Sequence, residues 1–270
     1  MSAYFERLAQ AIQNNRSHLC VGLDLQPEQM PEGVWRDTDG FVQFGRSIVE
    51  ATSDLVCAYK PNLAFYEEMG GGGHHTLRKV LEAIPASIPV IADGKRADIG
   101  NTSRAYARAL FDRMGFDAAT VNPYLGYDAL EPFFEYADCG CYILCLTSNS
   151  GAADFQIPNS LYLEVAHKAT GWNKNGNLGL VVGATQPERI AEIRRAAPDL
   201  PFLVPGVGAQ GGDLEACVRA AANSRPDQGF IINAARSVLY ASSGDDYVQA
   251  ARREAEKLRD QIEQVLSTIA

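Results

Sequence analysis

The chain has 270 residues, a length that fits two small domains or one large α/β barrel. Its 46% hydrophobic and 21% charged residues exclude a disordered chain, and no apolar run approaches the roughly 20 residues of a membrane span. The net charge of −9 disfavours nucleic-acid binding, which needs a basic face. Residues 1–15 are amphipathic and lack the apolar core of a secretory signal, so we expect a cytoplasmic protein that does not bind membranes.

The six cysteines do not follow the spacing of a zinc site. Cys139, Cys141 and Cys145 lie close together, and the last two share strand parity within an apolar run. We therefore expect buried, reduced thiols, as is usual in a cytosolic protein.

Eight short apolar runs recur along the chain, and each is followed by a helical pattern. The runs are almost continuously apolar, as expected of strands buried on both faces. Strand–helix alternation predicts right-handed βαβ units and a parallel sheet. Eight units in about 220 residues predict an α/β protein with a (β/α)8 TIM barrel, and a doubly wound open sheet is the alternative. The predicted strands are 19–25, 56–63, 89–95, 118–124, 141–147, 178–184, 202–208 and 229–235.

Amphipathic stretches between these runs predict the outer helices, and two further helices flank the barrel near 3–14 and 245–268. The segment Gly70 to Gly73, followed by His74 and His75, predicts a flexible βα loop. A phosphate cradle or a metal site on the histidine pair is the alternative, but no third ligand lies nearby. The predicted outer helices are 40–54, 76–84, 101–114, 126–137, 159–170, 187–197 and 213–222.

Polar residues follow the apolar runs at the strand ends where a barrel carries its active site. A purely structural barrel would not need lysine and aspartate there, so this pattern predicts an active site at the mouth. These residues are Asp24, Lys60, Asp93 with Lys95, Asn122 to Tyr124, Thr147 to Asn149, Thr185, Pro205 to Gln210, Asn233 and Arg236.

The end of the third predicted strand carries the densest charge. Asp93 and Lys95 are two residues apart and should face the same side of a strand, and Asp98 can add a second carboxylate. Neighbouring carboxylates favour the ammonium form of a lysine. Lys95 is therefore predicted to be a proton donor rather than a Schiff-base nucleophile. A structural salt bridge is the alternative.

The segment Gly206 to Gly211 matches the G-x-G-x-x-G pattern of dinucleotide sites. It follows the seventh strand, however, and the next strand ends without an acidic partner for a ribose. Loops after strands 7 and 8 of a barrel commonly bind phosphate, and Arg236 can add a bidentate contact. A phosphomonoester site is therefore favoured over a dinucleotide site.

Three segments resemble the orotidine 5′-phosphate decarboxylase family, in its longer bacterial branch. Residues 90–100 (VIADGKRADIG) look like the family signature, 59–67 (YKPNLAFYE) like its lead-in, and 205–212 (PGVGAQGG) like its phosphate loop. The similarity runs in order from about Val21 to Tyr240, through all eight strands. The resemblance implies a single barrel domain over 1–270.

The resemblance also implies a role for each matching residue. Lys60, Asp93, Lys95 and Asp98 would form an alternating charge network, with Lys95 as proton donor to C6 of the pyrimidine. The protein would be a homodimer in which Asp98 and Thr102 reach the partner's site. The remaining substrate contacts would be Asp24, Lys60 and Thr102 to the ribose, Ser148 to the pyrimidine edge, and Pro205, Gln210 and Arg236 at the phosphate. Ala235 departs from the glycine of many members, which weakens the expectation of a backbone contact there.

The implied reaction converts orotidine 5′-monophosphate to uridine 5′-monophosphate (UMP) and CO2, the last step of UMP biosynthesis, with no cofactor and no metal. Two alternatives stay open. The D-x-K-x-x-D core is shared with Mg²⁺-dependent phosphosugar decarboxylases and synthases, and the barrel could be a non-catalytic nucleotide-binding protein. Dependence on a metal would identify the first, and saturable UMP binding without turnover the second.

Overall fold

The computed structural model describes residues 2–207, 213–223 and 229–269. Within these ranges eight parallel strands form one sheet in the order β2-β1-β8-β7-β6-β5-β4-β3. Parallel bridges from Tyr59 to Val90 and from Asn62 to Asp93 join β2 to β3 and close the sheet, which confirms the predicted TIM barrel. The strands are β1 Leu19–Gly22, β2 Ala58–Lys60, β3 Ile91–Arg96, β4 Ala118–Val121, β5 Gly140–Leu146, β6 Leu178–Val182, β7 Phe202–Pro205 and β8 Phe230–Ala234.

Helices alternate with the strands and surround the barrel, and side-chain caps set several of their first residues. Asp37 accepts a hydrogen bond from the Gly40 N–H, and Asp213 accepts one from the Ala216 N–H. The helices are α1 Ala3–Asn15, α2 Thr38–Thr52, α3 Leu63–Glu68, α4 Gly73–Leu81, α5 Gly100–Arg108, α6 Tyr127–Phe134, α7 Ala152–Phe155, α8 Leu161–Trp172, α9 Pro187–Ala196, α10 Leu214–Ala221, α11 Arg236–Leu239 and α12 Tyr247–Ser267.

The segment after β2 differs from its prediction as a loop. Residues Gly70–Gly72 form a 3-10 turn, and Gly73 begins α4, so His74 and His75 lie in the first helical turn. Helix α3 was not predicted, and the side chain of Asn62 caps its first turn. Four glycines in a row suggested a break, but the turn only separates two helices of one βα connection.

The interior of the barrel is filled from its N-terminal end. Helix α1 inserts Tyr4, Phe5 and Leu8 into a cluster with inward-facing strand residues, and the Tyr4 and Tyr142 hydroxyls lie 3.1 Å apart. A second, larger cluster fills the layer between strands and helices. Because α1 closes the end of the barrel at the strand N-termini, the open end is the one at the strand C-termini, which we call the mouth.

All six cysteines lie in the described ranges and are free thiols, and five of them are buried, as predicted. Cys139 is only half-buried. No helix in the described part of the chain combines the length and apolar composition that a bilayer crossing requires.

Candidate functional site

A cavity of about 290 Å³ opens at the C-terminal ends of the strands. Seven of the eight strands, β2 to β8, and the loop after β1 contribute to its wall. Most of the polar strand ends predicted from the sequence lie here, but Thr185 does not line the cavity. Apolar Leu144, Val181 and Leu203 line it together with the polar groups. The polar and loop residues that line it include Asp24, Lys60, Asn62, Asp93, Lys95, Thr120, Thr147, Ser148, Asn149, Pro205, Gly206, Asn233, Ala235, Arg236 and Ser237.

Asp93 lies at the centre of a charge network in this cavity. Its Oδ2 accepts a hydrogen bond from Nζ of Lys60 at 2.6 Å, and its Oδ1 accepts one from Nζ of Lys95 at 2.7 Å. The Lys60 and Asp93 side chains are 4% and 10% exposed, whereas the Lys95 side chain is 43% exposed. The network therefore has a buried end at Lys60 and an open end, facing the cavity, at Lys95.

The charges of this network hold each other ionised. Burial alone would raise the pKa of Asp93, but Lys60 and Lys95 outweigh it and lower the pKa below its usual value. Burial likewise opposes the charge on Lys60, yet Asp93 and Asp24 keep its pKa above the ordinary value. Asp24 differs, because burial dominates over Lys60 and raises its pKa.

The Lys95 side chain meets Asp93 through a bulge rather than through regular strand alternation. Ala92 pairs with Ala119 and Arg96 with Val121, so three residues of β3 face one residue of β4. Lys95 itself has φ +45°, a conformation that non-glycine residues rarely adopt. The expected side-by-side placement of Asp93 and Lys95 is therefore found, but the period-two argument for it is wrong.

Asp24 is held beside Lys60 by the loop after β1. Its Oδ1 accepts a hydrogen bond from the Asn62 N–H at 3.3 Å. The Tyr240 hydroxyl accepts from the Gln26 N–H at 2.6 Å and donates to the Asp24 carbonyl at 3.0 Å. Tyr240, which follows β8, thus fixes the loop after β1 that carries Asp24.

The segments at the ends of β7 and β8 bring Pro205, Gly206 and Arg236 to the cavity, next to β1. Gly206 has φ +98°, which a residue with a side chain would adopt only at a cost. Arg236 is exposed and begins α11. A Cβ on Gly22 would lie 2.7 Å from that of Ala235, so a glycine in β1 makes room for the alanine methyl.

Ser148 lines the cavity beyond β5, as expected, whereas Gln210 lies outside the described residues. Asp98 and Thr102 do not line the cavity. Asp98 accepts the Ile99 N–H at 2.7 Å, and Thr102 is exposed on α5. Within one chain, then, the structure brings together Lys60, Asp93 and Lys95 but not Asp98.

Thr120 was not among the predicted site residues. The polar end of β4 was predicted at Asn122 to Tyr124, but those residues line a neighbouring cavity with Phe155. Thr120, the polar residue inside the apolar run, faces the charge network and donates to Asp93 Oδ1 at 2.9 Å. A hydroxyl within an otherwise apolar strand was the signal that could have found it.

A larger cavity of about 870 Å³ lies away from the charge network, between α4 and the segment after α5. Its lining includes Arg7, His74, Arg78 and Arg113. Within the described ranges, no three His, Cys, Asp or Glu side chains come together as a metal-binding group. The pair His74 and His75 accordingly lacks a third ligand of these types there.

Known proteins similar to this chain share one family. Residues 17–254 match the family model described as Orotidine 5′-phosphate decarboxylase / HUMPS family. The orotidine 5′-phosphate decarboxylase of Roseiflexus castenholzii is 51% identical over 272 residues, covering 98% of this chain and 99% of that protein. That of Herpetosiphon aurantiacus is 51% identical over 259 residues, covering 94% and 95%. The solved structure of Leishmania donovani OMP decarboxylase gives a TM-score of 0.85 at 38% identity and covers 98% of each chain.

Proposed function

Because the chain belongs to the orotidine 5′-phosphate decarboxylase / HUMPS family, we propose that it converts orotidine 5′-monophosphate to UMP and CO2. This reaction is the last step of UMP biosynthesis. The observation that carries the proposal is the Lys60–Asp93–Lys95 network at the barrel mouth. Matches at about half identity over nearly the full length, to proteins named for this activity, support it.

Lys95 supplies the proton in this proposal. When the bond from C6 to the carboxylate breaks, CO2 leaves and the electron pair stays on C6, which has no adjacent carbonyl to accept it. The Lys95 ammonium stabilises this charge and transfers a proton to C6, and the lysine then regains a proton from water. Asp93 orients the donor through its hydrogen bond at 2.7 Å. The chemistry needs no cofactor or metal ion.

The remaining walls of the cavity bind the rest of the nucleotide. Asp24 and Lys60 contact the ribose hydroxyls, and Ser148 contacts the pyrimidine edge. Arg236 holds the phosphate beside Pro205, and Gln210 adds a further phosphate contact. Phosphate binding is remote from C6, so its binding energy serves to order the site around the reacting atoms.

A homodimer would bring Asp98 and Thr102 into the partner's site. The segments that follow β3, β4 and β5 expose large apolar side chains, with Ile99 62%, Tyr124 79% and Phe155 65% exposed. Such a surface beside a barrel mouth favours burial against a second copy. Ile99 and Asp98 are adjacent in sequence, so the copy that covers Ile99 receives Asp98 near its own cavity.

Complementation tests this arrangement. Lys95→Ala and Asp98→Ala homodimers should both be inactive, while mixing them after partial unfolding should restore activity. A mixed dimer regains one site with both residues native if Asp98 acts across the interface. If Asp98 acts within its own chain, each mixed site retains one defect and no activity returns.

The activity itself is tested by ultraviolet absorbance of orotidine 5′-monophosphate with the purified protein, with and without EDTA. The proposal predicts loss of the orotate chromophore at equal rates in both. Loss only without EDTA would indicate a metal-dependent reaction, and binding of UMP without turnover would indicate a nucleotide-binding protein.

A further inference from the structure

The hydroxyl of Thr120 connects the backbone of Lys95 to the carboxylate of Asp93. Thr120 lies in β4 and is 1% exposed. Its Oγ1 accepts a hydrogen bond from the Lys95 N–H at 2.9 Å and lies 2.9 Å from Asp93 Oδ1. A backbone N–H can only donate and a carboxylate can only accept, so the hydroxyl proton must point to Asp93.

This hydroxyl sits where the sheet ladder is interrupted. The register shift leaves Asp93, Gly94 and Lys95 opposite Thr120, and Lys95 adopts φ +45°. At the bulge the Lys95 N–H is satisfied by the Thr120 side chain. Backbone in a sparsely populated conformation persists only where surrounding contacts determine it, and this hydrogen bond is such a contact.

The contacts close a ring around the proton donor. The Lys95 N–H donates to Thr120, the Thr120 hydroxyl donates to Asp93 Oδ1, and Nζ of Lys95 donates to the same Oδ1 at 2.7 Å. One side chain therefore fixes both the backbone and the ammonium partner of Lys95. Lys60, which donates to Oδ2 at 2.6 Å, holds the other side of the carboxylate.

We propose that Thr120 is a positioning residue for decarboxylation, whose hydroxyl holds the bulge and Asp93 so that the Lys95 ammonium stays aligned with the reacting carbon. The inference rests on the proposed function. Thr120 acts through Lys95 and Asp93 rather than on the substrate. Its loss should therefore lower kcat and leave binding of the product almost unchanged.

Two pairs of variants isolate the hydroxyl. Thr120 and Thr120→Val have nearly the same shape and differ in the hydroxyl, and Thr120→Ser and Thr120→Ala differ in the same oxygen. Thr76→Val is the matched control. Thr76 is fully buried in α4, and its Oγ1 has no hydrogen-bond partner among the described residues. That control removes a buried hydroxyl that does not line the cavity of the charge network.

The measurements are kcat and KM for orotidine 5′-monophosphate, the Kd for UMP by calorimetry, and the melting temperature. Thr120→Val should lower kcat by roughly 100-fold, as small misplacements of a catalytic group do, while the Kd for UMP changes by less than about threefold. Thr120→Ser should keep kcat within about fivefold of the wild type, and the kcat of Thr120→Ala should be well below that of Thr120→Ser. Thr76→Val should leave kcat and KM unchanged.

The outcomes separate this inference from the proposed function. A wild-type protein that does not decarboxylate the substrate contradicts the proposed function. An active wild type with Thr120→Val within about threefold of its kcat overturns the role of Thr120. Equal losses in kcat and UMP binding also overturn it, because they indicate a general structural role. If Thr120→Val does not fold, the comparison of Thr120→Ser with Thr120→Ala decides by the same criteria.

Discussion

Replacing Asp93 with asparagine removes one charge from the buried pair at the centre of the cavity. The Lys60 and Asp93 side chains are 4% and 10% exposed, and their charged atoms lie 2.6 Å apart. Breaking such a pair leaves an uncompensated buried charge, which costs about 3–5 kcal/mol. We therefore expect Asp93→Asn to lower the free energy of unfolding by about this amount, because Asp24 compensates the charge of Lys60 only in part.

Asp54→Asn is the matched control for this prediction. Arg252 donates to both carboxylate oxygens of Asp54 at 2.7 and 2.8 Å, but the Arg252 side chain is 43% exposed and that of Asp54 61%. Breaking an exposed pair costs less than about 1 kcal/mol, because water solvates both charges. Both variants replace an aspartate with asparagine and break a hydrogen-bonded ion pair. The difference between their losses in free energy of unfolding therefore measures the effect of burying the pair.

The pH dependence of stability gives a second signature. Asp93 has a lowered pKa in the folded state, so its contribution is present above the unfolded pKa and is lost as pH falls through the folded value. Lys60 has a raised pKa, so its contribution is present below the unfolded pKa and is lost as pH rises through the folded value. Between about pH 5 and 9 the wild-type pair thus contributes a constant amount.

In Asp93→Asn, burial still lowers the pKa of Lys60, and of its two carboxylate neighbours only Asp24 remains to raise it. The pKa of Lys60 should therefore fall below its value in the unfolded chain. The variant should then gain stability from pH 7 to 10, while the wild type does not. Urea unfolding at several pH values measures both effects. A cost for Asp93→Asn no larger than that for Asp54→Asn, or an absence of the pH trend, would refute the reasoning.

Two further predictions concern arginines. Arg236→Ala should lower kcat/KM for orotidine 5′-monophosphate by roughly 100-fold or more, because a charged phosphate partner is lost, and should leave the activity on the phosphate-free nucleoside unchanged. Parallel kinetics on both compounds test this, and equal losses would contradict the phosphate role. Arg194→Leu should destabilise the fold by about 3–5 kcal/mol, since it strands buried carbonyl groups. Arg194 is only 8% exposed, and its guanidinium donates hydrogen bonds to backbone carbonyls that include those of Ala221 and Gly229. Its Cζ lies 3.6 Å from the centre of the Phe202 ring. Burial lowers the pKa of Arg194 to about 9. Urea unfolding measures the loss, and a change below about 1 kcal/mol would contradict this interpretation.

The barrel could be predicted because its strands are buried on both faces and therefore read as apolar runs. Strand ends were less accurate. The seventh strand was predicted to reach residue 208, but β7 ends at Pro205, before the positive φ of Gly206. The short helix α3 was missed because its cap, Asn62, lies within the segment read as a strand. Periodicity reports burial, whereas helix and strand ends depend on caps and single backbone angles.

The residues of the charge network could be predicted from the sequence, but the backbone geometry that brings them together could not. Asp93 and Lys95 were identified from their position at a strand end. The bulge that joins them depends on the register between β3 and β4, which a single sequence does not contain. Thr120 was missed for the same reason, since its contacts with Asp93 and Lys95 depend on that register. Asp98 could not be placed, because its expected partner is a second chain.

The most direct test of the central claim is the fate of the proton at C6. Wild-type protein and Lys95→Ala should be compared in D2O by NMR of the UMP formed, with UMP binding measured in parallel. We predict that the wild type yields UMP with deuterium at C6, and that Lys95→Ala binds UMP but forms no product. Turnover by Lys95→Ala within about tenfold of the wild-type rate would show that another group donates the proton.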